Sequence, residues 1–117
     1  MDADELKKRT QIFALDIIRF VQGIPNRDSA IIIGRQLLRC GTSVGTNYRA
    51  ACRAKSRVDF IAKLKIVEEE CDETIYWLEL LSAIRLGNES AIAALLDEAG
   101  QILSIIVASI RTARNPI

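Results

Sequence analysis

The spacing of apolar residues constrains this chain more than any other feature. In four segments, leucine, isoleucine, valine and phenylalanine recur every three or four residues, which is the period of one face of an α-helix. The only prolines are Pro25 and Pro116, and no segment carries a strand-like alternation long enough to compete. The sequence therefore predicts four amphipathic helices, at approximately residues 3–22, 29–54, 57–86 and 89–114.

The predicted connections between these helices are short. Gly23 and Pro25 end the first helix, Ser56 can cap the third, and Gly87 ends it. Four amphipathic helices joined by three short connections favour an all-α, antiparallel up-down-up-down four-helix bundle. The chain has 117 residues, half of them hydrophobic, so we expect residues 1–117 to form a single domain.

Two of the predicted helices carry apolar residues on more than one face. The first adds Ile12, Leu15 and Ile18 to its main stripe, and the fourth adds Ile105 and Val107. A bundle needs only one stripe on each helix, and a contiguous apolar patch at the surface usually marks an interface. We therefore expect a homo-oligomer, the alternative being an unusually wide core stripe.

The charges are balanced overall but segregated along the chain. The formal net charge is +1, yet residues 35–65 hold eight basic residues against one acidic residue, and residues 66–80 hold six acidic residues and no basic one. In the predicted topology, one end of the bundle collects the end of the second helix, the start of the third and both outer helix ends. The cations expected at this basic end are Lys7, Lys8, Arg9, Arg49, Arg53, Lys55, Arg57, Arg111 and Arg114.

A basic end of this kind suits phosphate. Arginine guanidinium groups offer bidentate contacts to phosphate oxygens, and clustered cations attract the backbone of a nucleic acid. These nine residues are therefore the candidate nucleic-acid-binding residues. The alternative is that they are solvated helix ends and partners in ion pairs within the bundle.

The residues that usually carry chemistry are missing. The chain has no histidine, the commonest general base and metal ligand, and no glycine-rich phosphate loop. Glu70 and Glu73 have the spacing seen in two-metal bundles, but those sites also need histidine. The sequence predicts no catalytic residue, cofactor, metal or small-molecule substrate, and thus no enzyme.

The cysteines and apolar segments indicate the compartment. Cys40, Cys52 and Cys71 are odd in number and each lies within an apolar helical pattern, as expected of small buried residues in a reducing compartment. No signal peptide is recognisable, and the longest apolar run, residues 102–110, is far short of the roughly 20 residues that span a bilayer. We therefore expect a cytoplasmic protein with no membrane partner.

Asn47 interrupts the apolar seam of the second helix, where an apolar side chain would be expected. A buried amide needs hydrogen-bonding partners, and such a pair can fix the register between helices. The natural partners are three carboxylates of the third helix: Glu69, Glu70 and Glu73. We interpret this as a structural pair. The nearby hydroxyls of Thr42, Ser43 and Thr46 are expected to bond back to carbonyls of their own helix.

Three stretches of the chain also carry a family resemblance: Leu37–Ser56, Asp59–Leu64 and Glu68–Leu81. Together they resemble the bacterial 23S ribosomal RNA intervening-sequence protein family, and the whole chain fits that family in length. The resemblance implies a four-helix bundle that assembles into a homopentameric ring, with no enzymatic activity.

The resemblance also bears on function. Some members of this family are encoded within insertions in 23S rRNA genes. A related branch accompanies the reverse transcriptase of diversity-generating retroelements and is thought to bind nucleic acid through a basic surface. The motif residues carried over as candidates are Asn47, Arg49, Arg53, Lys55, Ser56, Glu69, Glu70 and Glu73.

Two hypotheses follow from the sequence. In the first, the chain is a non-enzymatic, homo-oligomeric bundle whose basic end binds RNA or a nucleoprotein. In the second, it is a protein–protein adaptor or scaffold whose polarised surface meets a protein partner without contacting nucleic acid. Salt-dependent retention of RNA separates the two, because phosphate contacts weaken as salt rises.

Overall fold

The computed structural model describes residues 1–115. It contains four helices, α1 (Ala3–Gly23), α2 (Asp28–Cys52), α3 (Arg57–Ala83) and α4 (Glu89–Arg114). No strand occurs within the described range, and the molecule measures 49 × 20 × 20 Å. The prediction of an all-α, four-helix fold in one compact domain is confirmed. Pro116 lies outside the described residues.

Side-chain caps define where three of the helices begin. Asp2 accepts a hydrogen bond from the backbone N–H of Glu5 at 2.8 Å, and Ser56 accepts one from Asp59 at 3.1 Å. Asn88 caps α4 in the same way. These bonds satisfy backbone donors that lack partners inside the first turn of a helix.

The ends of α2 and α3 come earlier than the spacing of apolar residues predicts. Helix α2 ends at Cys52, and α3 ends at Ala83, three residues before the predicted position. Beyond Ala83, Arg85 and Gly87 adopt positive φ angles of 58° and 90°. A right-handed helix cannot continue through such residues. Leu86 lies in this turn and packs against the core from it.

Small residues of α2 let α1 pack directly against its backbone. A Cβ atom added at Gly41 would lie 2.9 Å from Cγ2 of Ile17, and one added at Gly45 would lie 3.2 Å from Oγ1 of Thr10. At the far end, a Cβ atom at Gly34 would meet Ile24. Gly41 and Gly45 therefore lie directly against side chains of α1.

Two side-chain hydrogen bonds connect α3 with α4. The thiol of Cys71 donates to the carbonyl of Ala99 at 3.2 Å, near the middle of both helices. Closer to the connecting turn, Ser82 donates to the carboxylate of Glu89 at 3.3 Å. Helix α3 also packs extensively on α2, so the two central helices form the best-packed part of the core.

Helices α1 and α4 pack least closely of the neighbouring pairs. A polar clasp crosses this seam, in which Nε and Nη2 of Arg9 each donate to the carboxylate of Glu98 at 2.7 Å. The same Nη2 also donates to Gln101. The bundle is therefore closed on this side by charge-assisted hydrogen bonds more than by interlocking apolar side chains.

The additional apolar residues of α1 and α4 differ in how far they are exposed to solvent. Ile12 and Leu15 are 49% and 42% exposed, so α1 presents an uncovered apolar face. Ile18, Ile105 and Val107 are half-buried. Among the described helices, α4 alone is long and apolar enough to span a membrane on length and composition. In this fold, one face of α4 lies in the protein core.

Candidate nucleic-acid interface

A groove of about 570 Å³ runs between α1 and α2, toward the start of α1 and the end of α2. We call it the α1–α2 groove. Thr42, Gly45 and Thr46 of α2 line it together with Thr10 and Gln11 of α1. The backbones of α1 and α2 lie close together at Gly45, and side chains of both helices line the space beside this contact.

Four cations line the α1–α2 groove: Lys7, Arg49, Arg53 and Lys63. No carboxylate lies among its lining residues. Arg49 and Arg53 are exposed, and no carboxylate within residues 1–115 lies within 4.0 Å of either. They are one helical turn apart, about 6 Å along the axis, so both can contact neighbouring phosphates on one strand.

The two lysines of the groove have surface ion pairs that leave them available. Nζ of Lys7 lies 3.8 Å from the highly exposed carboxylate of Asp4, and Nζ of Lys63 lies 2.6 Å from Asp59. The Lys63 ammonium and the backbone N–H of Lys55 lower the pKa of Asp59. Both pairs are at least partly exposed to solvent, which screens the attraction between their charges, so a phosphate can compete for either lysine.

The hydroxyl groups of Thr42 and Thr46 donate their protons to backbone carbonyls of their own helix. Oγ1 of Thr42 donates to the carbonyl of Leu38 at 2.7 Å, and Oγ1 of Thr46 donates to that of Thr42 at 3.2 Å. Ser43 bonds to Arg39 in the same way. The predicted back-bonding of these side chains is thus confirmed. Their oxygen atoms retain lone pairs, so toward a ligand they act as acceptors.

The structure separates the predicted basic residues into three groups. Lys7, Arg49 and Arg53 meet in the α1–α2 groove. Arg9 is held by Glu98, whose hydrogen bonds raise the pKa of the guanidinium, so this cation belongs to the α1–α4 clasp. The remaining candidates are exposed and line no part of the groove: Lys8, Lys55, Arg57, Arg111 and Arg114.

Lys63 is the member of the groove that sequence reasoning missed as a site residue. It was counted in the basic segment, but no motif distinguished it from its neighbours. A signal was available, because Lys63 follows Asp59 by four residues and both lie in the first two turns of α3. Such a pair places the lysine beside the end of α2, where Arg53 lies.

Asp59 at the start of α3 pairs with Lys63, but the acidic residues in the middle of α3 lie away from the cations of the α1–α2 groove. Glu68, Glu69 and Asp72 line a separate groove of about 380 Å³ between α3 and α4, together with a single cation, Lys65. The charge segregation seen along the sequence is therefore also a segregation in space. One groove of the bundle is cationic and another is predominantly anionic.

Asn47 has a different partner from the predicted one. Its Nδ2 donates to the carbonyl of Ser43 at 2.8 Å, and the side chain is only half-buried. Glu70 and Glu73 accept instead from Arg39. Glu69, the third predicted partner, is exposed.

The period of the α-helix explains why Asn47 does not lie on the inward face of α2. An α-helix has 3.6 residues per turn, so a strict heptad pattern drifts around its surface. One turn beyond the buried Val44, the inward position belongs to Tyr48. Burial raises the pKa of Tyr48, and its ring is part of the core, so it is not available to stack on a base.

The titratable groups outside the groove show little sign of reactive chemistry. Burial raises the pKa of Cys40 and raises that of Cys71 to about 12, which keeps both thiols protonated and unreactive. Within residues 1–115, no three cysteine, aspartate or glutamate side chains cluster closely enough to hold a metal ion. What the described residues offer is a surface for binding anions.

Comparison with known proteins places this fold in a family. No curated protein matches the chain. A solved structure matches it with a TM-score of 0.88 and 33% identity, covering 96% of this chain and 100% of the other. That structure is of a protein of unknown function from the S23 ribosomal protein family of Bacteroides thetaiotaomicron. The sequence profile of the 23S rRNA-intervening sequence protein family matches residues 4–108. The chain therefore belongs to the 23S rRNA-intervening sequence protein family.

Proposed function

We propose that this protein is a non-enzymatic RNA-binding protein of the cytoplasm, and that the α1–α2 groove is its contact surface for RNA or for the RNA of a nucleoprotein. The observation that carries the proposal is the convergence of four cations on one groove whose lining contains no carboxylate. Cations clustered in this way lower the energy of a bound phosphate and release counterions from the nucleic acid. The name of the family, which refers to 23S rRNA, supports RNA as the ligand.

The geometry of the groove fits a flexible single strand better than a duplex. The groove is an open concave surface between α1 and α2, and its cations come from α1, from α3 and from the C-terminal end of α2. A-form RNA duplexes are recognised mainly by protein surfaces that span the shallow minor groove, whereas single strands follow positively charged channels. We therefore expect single-stranded segments to be the preferred ligands.

The proposal is tested by the salt dependence of RNA binding. Binding of a single-stranded RNA to the wild-type protein should weaken linearly on a logarithmic scale as salt rises. Replacing Arg49 and Arg53 by glutamine removes two phosphate contacts and should reduce the slope of that line by about 1.4, at about 0.7 for each contact. Fluorescence anisotropy over a salt series measures both quantities.

The matched control removes the same charge elsewhere. Arg19→Gln with Arg27→Gln lowers the net charge equally, but neither residue lines the α1–α2 groove. The control protein should keep the wild-type slope. Equal losses in the two variants, or no binding by the wild-type protein at about 50 mM salt, would overturn the proposal.

The bundle is further proposed to be antiparallel in its up-down-up-down order and to assemble as a homopentamer. Support for the order comes from the opposed pairings of Gly41 with Ile17 and of Cys71 with Ala99. Support for assembly comes from the exposed Ile12 and Leu15 on α1. Assembly would repeat the α1–α2 groove and raise the avidity for a long RNA.

A second candidate function, a protein–protein adaptor, is favoured by one feature of α3. Tyr76 is 54% exposed and packs edge-on against Trp77 with ring centroids 5.2 Å apart. Exposed aromatic residues are enriched at protein interfaces. If this function is the correct one, a stoichiometric protein partner will co-purify from nuclease-treated lysate, and Tyr76→Ala will abolish that association while Arg49→Gln will not.

A further inference from the structure

We propose that the α1–α2 groove distinguishes RNA from DNA by accepting hydrogen bonds from ribose 2′-hydroxyl groups. The inference rests on the proposed function and makes it more specific. The groups that carry the discrimination are the side-chain oxygens of Thr42 and Thr46, which line the groove beside the cations.

The hydroxyl groups of Thr42 and Thr46 donate within their own helix. Thr42 Oγ1 has two carbonyls within reach, those of Leu38 at 2.7 Å and Arg39 at 3.2 Å. Thr46 Oγ1 donates to the carbonyl of Thr42. Each hydroxyl proton is thus engaged within the helix, which makes these oxygens poor donors to a phosphate but good acceptors.

The hydrogen-bond acceptors and the cations follow one another along α2 toward its C-terminal end. Thr42, Thr46 and Arg49 follow one another at spacings of four and three residues, which places them on one face of α2, and Arg53 follows directly after the last residue of that helix. All four line the same groove. A strand lying along these four residues places phosphates against the arginines and sugars against the threonines.

Ribose and deoxyribose differ in whether they can donate a hydrogen bond from the 2′ position. A ribose carries a 2′-hydroxyl that can donate to a threonine oxygen, whereas deoxyribose has only C–H groups at this position. A DNA strand in the groove would displace water from the threonine oxygens without replacing its hydrogen bonds. Polar groups left without partners in this way lower affinity.

The experiment compares three oligouridylates of about 12 nucleotides, a length near the site sizes of single-strand binding proteins. One has ribose, one has deoxyribose and one has 2′-O-methylribose, so only the group at the 2′ position differs. The wild-type protein should bind the ribose form roughly tenfold more tightly than either of the others. The 2′-O-methyl form is decisive, because it keeps the 2′ oxygen but cannot donate.

Variants then assign the preference to the threonines. Thr42→Val with Thr46→Val keeps the branched shape and removes both oxygens, so the affinity for ribose should fall to that for deoxyribose while the salt slope stays unchanged. Thr46→Ser keeps a hydroxyl and should retain part of the preference. Thr112→Val, an exposed threonine at the end of α4, is the control and should change nothing.

The outcomes separate this inference from the proposed function. Equal binding of all three oligomers by the wild-type protein, with a normal salt slope, would overturn the 2′-hydroxyl inference and leave RNA binding intact. Absence of binding to any oligomer would overturn both. A tenfold preference that survives the double valine substitution would also overturn the assignment to Thr42 and Thr46. If the double variant fails to fold, the 2′-O-methyl comparison on the wild-type protein still decides whether a 2′ donor is read.

Discussion

At the scale of single residues, Asp59 connects stability to the groove. Its carboxylate accepts from the backbone N–H of Lys55 at 3.0 Å and from Nζ of Lys63 at 2.6 Å. Both partners favour the ionised form, and the pKa of Asp59 in the folded protein lies below its usual value of 3.8. A carboxyl group whose pKa is lowered by folding stabilises the protein above its unfolded-state pKa, and that stabilisation is lost as pH falls through the folded-state value.

Asp59→Asn should therefore lower the free energy of unfolding at neutral pH and have little effect at a pH below the depressed pKa. Urea denaturation near pH 7 and near pH 2 measures the two differences. Asp72→Asn is the control, since Asp72 is exposed and makes no hydrogen bond or ion pair within residues 1–115. A destabilisation by Asp59→Asn that is equally large in acid would contradict the assigned ionic origin.

Asp59→Asn should have the opposite effect on RNA affinity, which we expect to rise. Removing the Asp59 charge frees Lys63 from its ion pair and removes a carboxylate that adjoins the α1–α2 groove. RNA affinity should rise by several-fold at low salt, because the local cationic charge increases. Anisotropy titrations of Asp59→Asn and of Asp72→Asn check this, and an unchanged or weakened affinity in the first variant would exclude Lys63 from the contact surface.

At the scale of helices, the glycines of α2 have unequal roles. Gly41 lies under Ile17, a fully buried, β-branched residue of α1. The contact involves Cβ and both γ carbons of Ile17, which lie near its backbone and have little freedom to move. Gly100 of α4 is also helical, but a Cβ atom there would meet no heavy atom within 4 Å. Gly41 therefore sets the distance between two helices, whereas Gly100 only lowers helix propensity.

Alanine substitutions separate these roles. Gly41→Ala gains up to about 1 kcal/mol of helix propensity but overpacks the core, at a cost of about 1–3 kcal/mol. We expect a net destabilisation of about 1–2 kcal/mol. Gly100→Ala should instead stabilise the protein by roughly 0.5–1 kcal/mol. Chemical denaturation measures both values, and a stabilising Gly41→Ala would show that α1 is free to move away from α2.

At the scale of the whole molecule, the surface is divided by both charge and polarity. One groove is cationic and another is largely anionic. Helix α1 also exposes Ile12 and Leu15, neither of which is among the lining residues of these two grooves.

Glutamate substitutions on α1 test this arrangement. Ile12→Glu with Leu15→Glu places two charges in the proposed subunit interface, so the mass in solution should fall from about five times 13.0 kDa toward that of one chain. Helicity by circular dichroism should be retained, since both residues are exposed in the single chain. Ile32→Glu with Ile84→Glu is the matched control on other exposed apolar residues. A wild-type protein that is monomeric by light scattering would refute assembly outright.

The sequence predicts the helices and the core well because both depend on local periodicity. Leu37, Val44, Leu64 and Leu78 belong to apolar residues that recur at helical spacing, and all four are fully buried. The fold class follows from four such stripes and the short turns between them. Helix ends were less predictable, because the turn after α3 depends on the positive φ angle of Arg85, which no residue pattern indicates.

The candidate site was only partly predictable because it depends on contacts between distant residues. Arg9 was indistinguishable from Lys7 in the sequence, yet it pairs with Glu98, which is 89 residues away. Asn47 was expected on the apolar seam of the second helix, which corresponds to a strict seven-residue repeat. The actual period of 3.6 residues per turn places Tyr48 on the inward face instead. The segregation of charge could be seen in the sequence. The groove could not, because it depends on how closely α1 packs against α2 at Gly45.

The position of the groove determines where a reporter can be attached without obstructing it. The turns at residues 24–27 and 84–88 meet at the far end of the molecule, where Gly87 approaches Phe20 and Ile24. Lys7 and Gly23 are separated by about 24 Å of helix at 1.5 Å per residue. A fluorophore carried at Asn26 would thus sit clear of the RNA path yet within energy-transfer range of a dye on the bound oligonucleotide. Affinity tags at the start of α1, by contrast, would emerge beside Lys7 and should be removed before binding is measured.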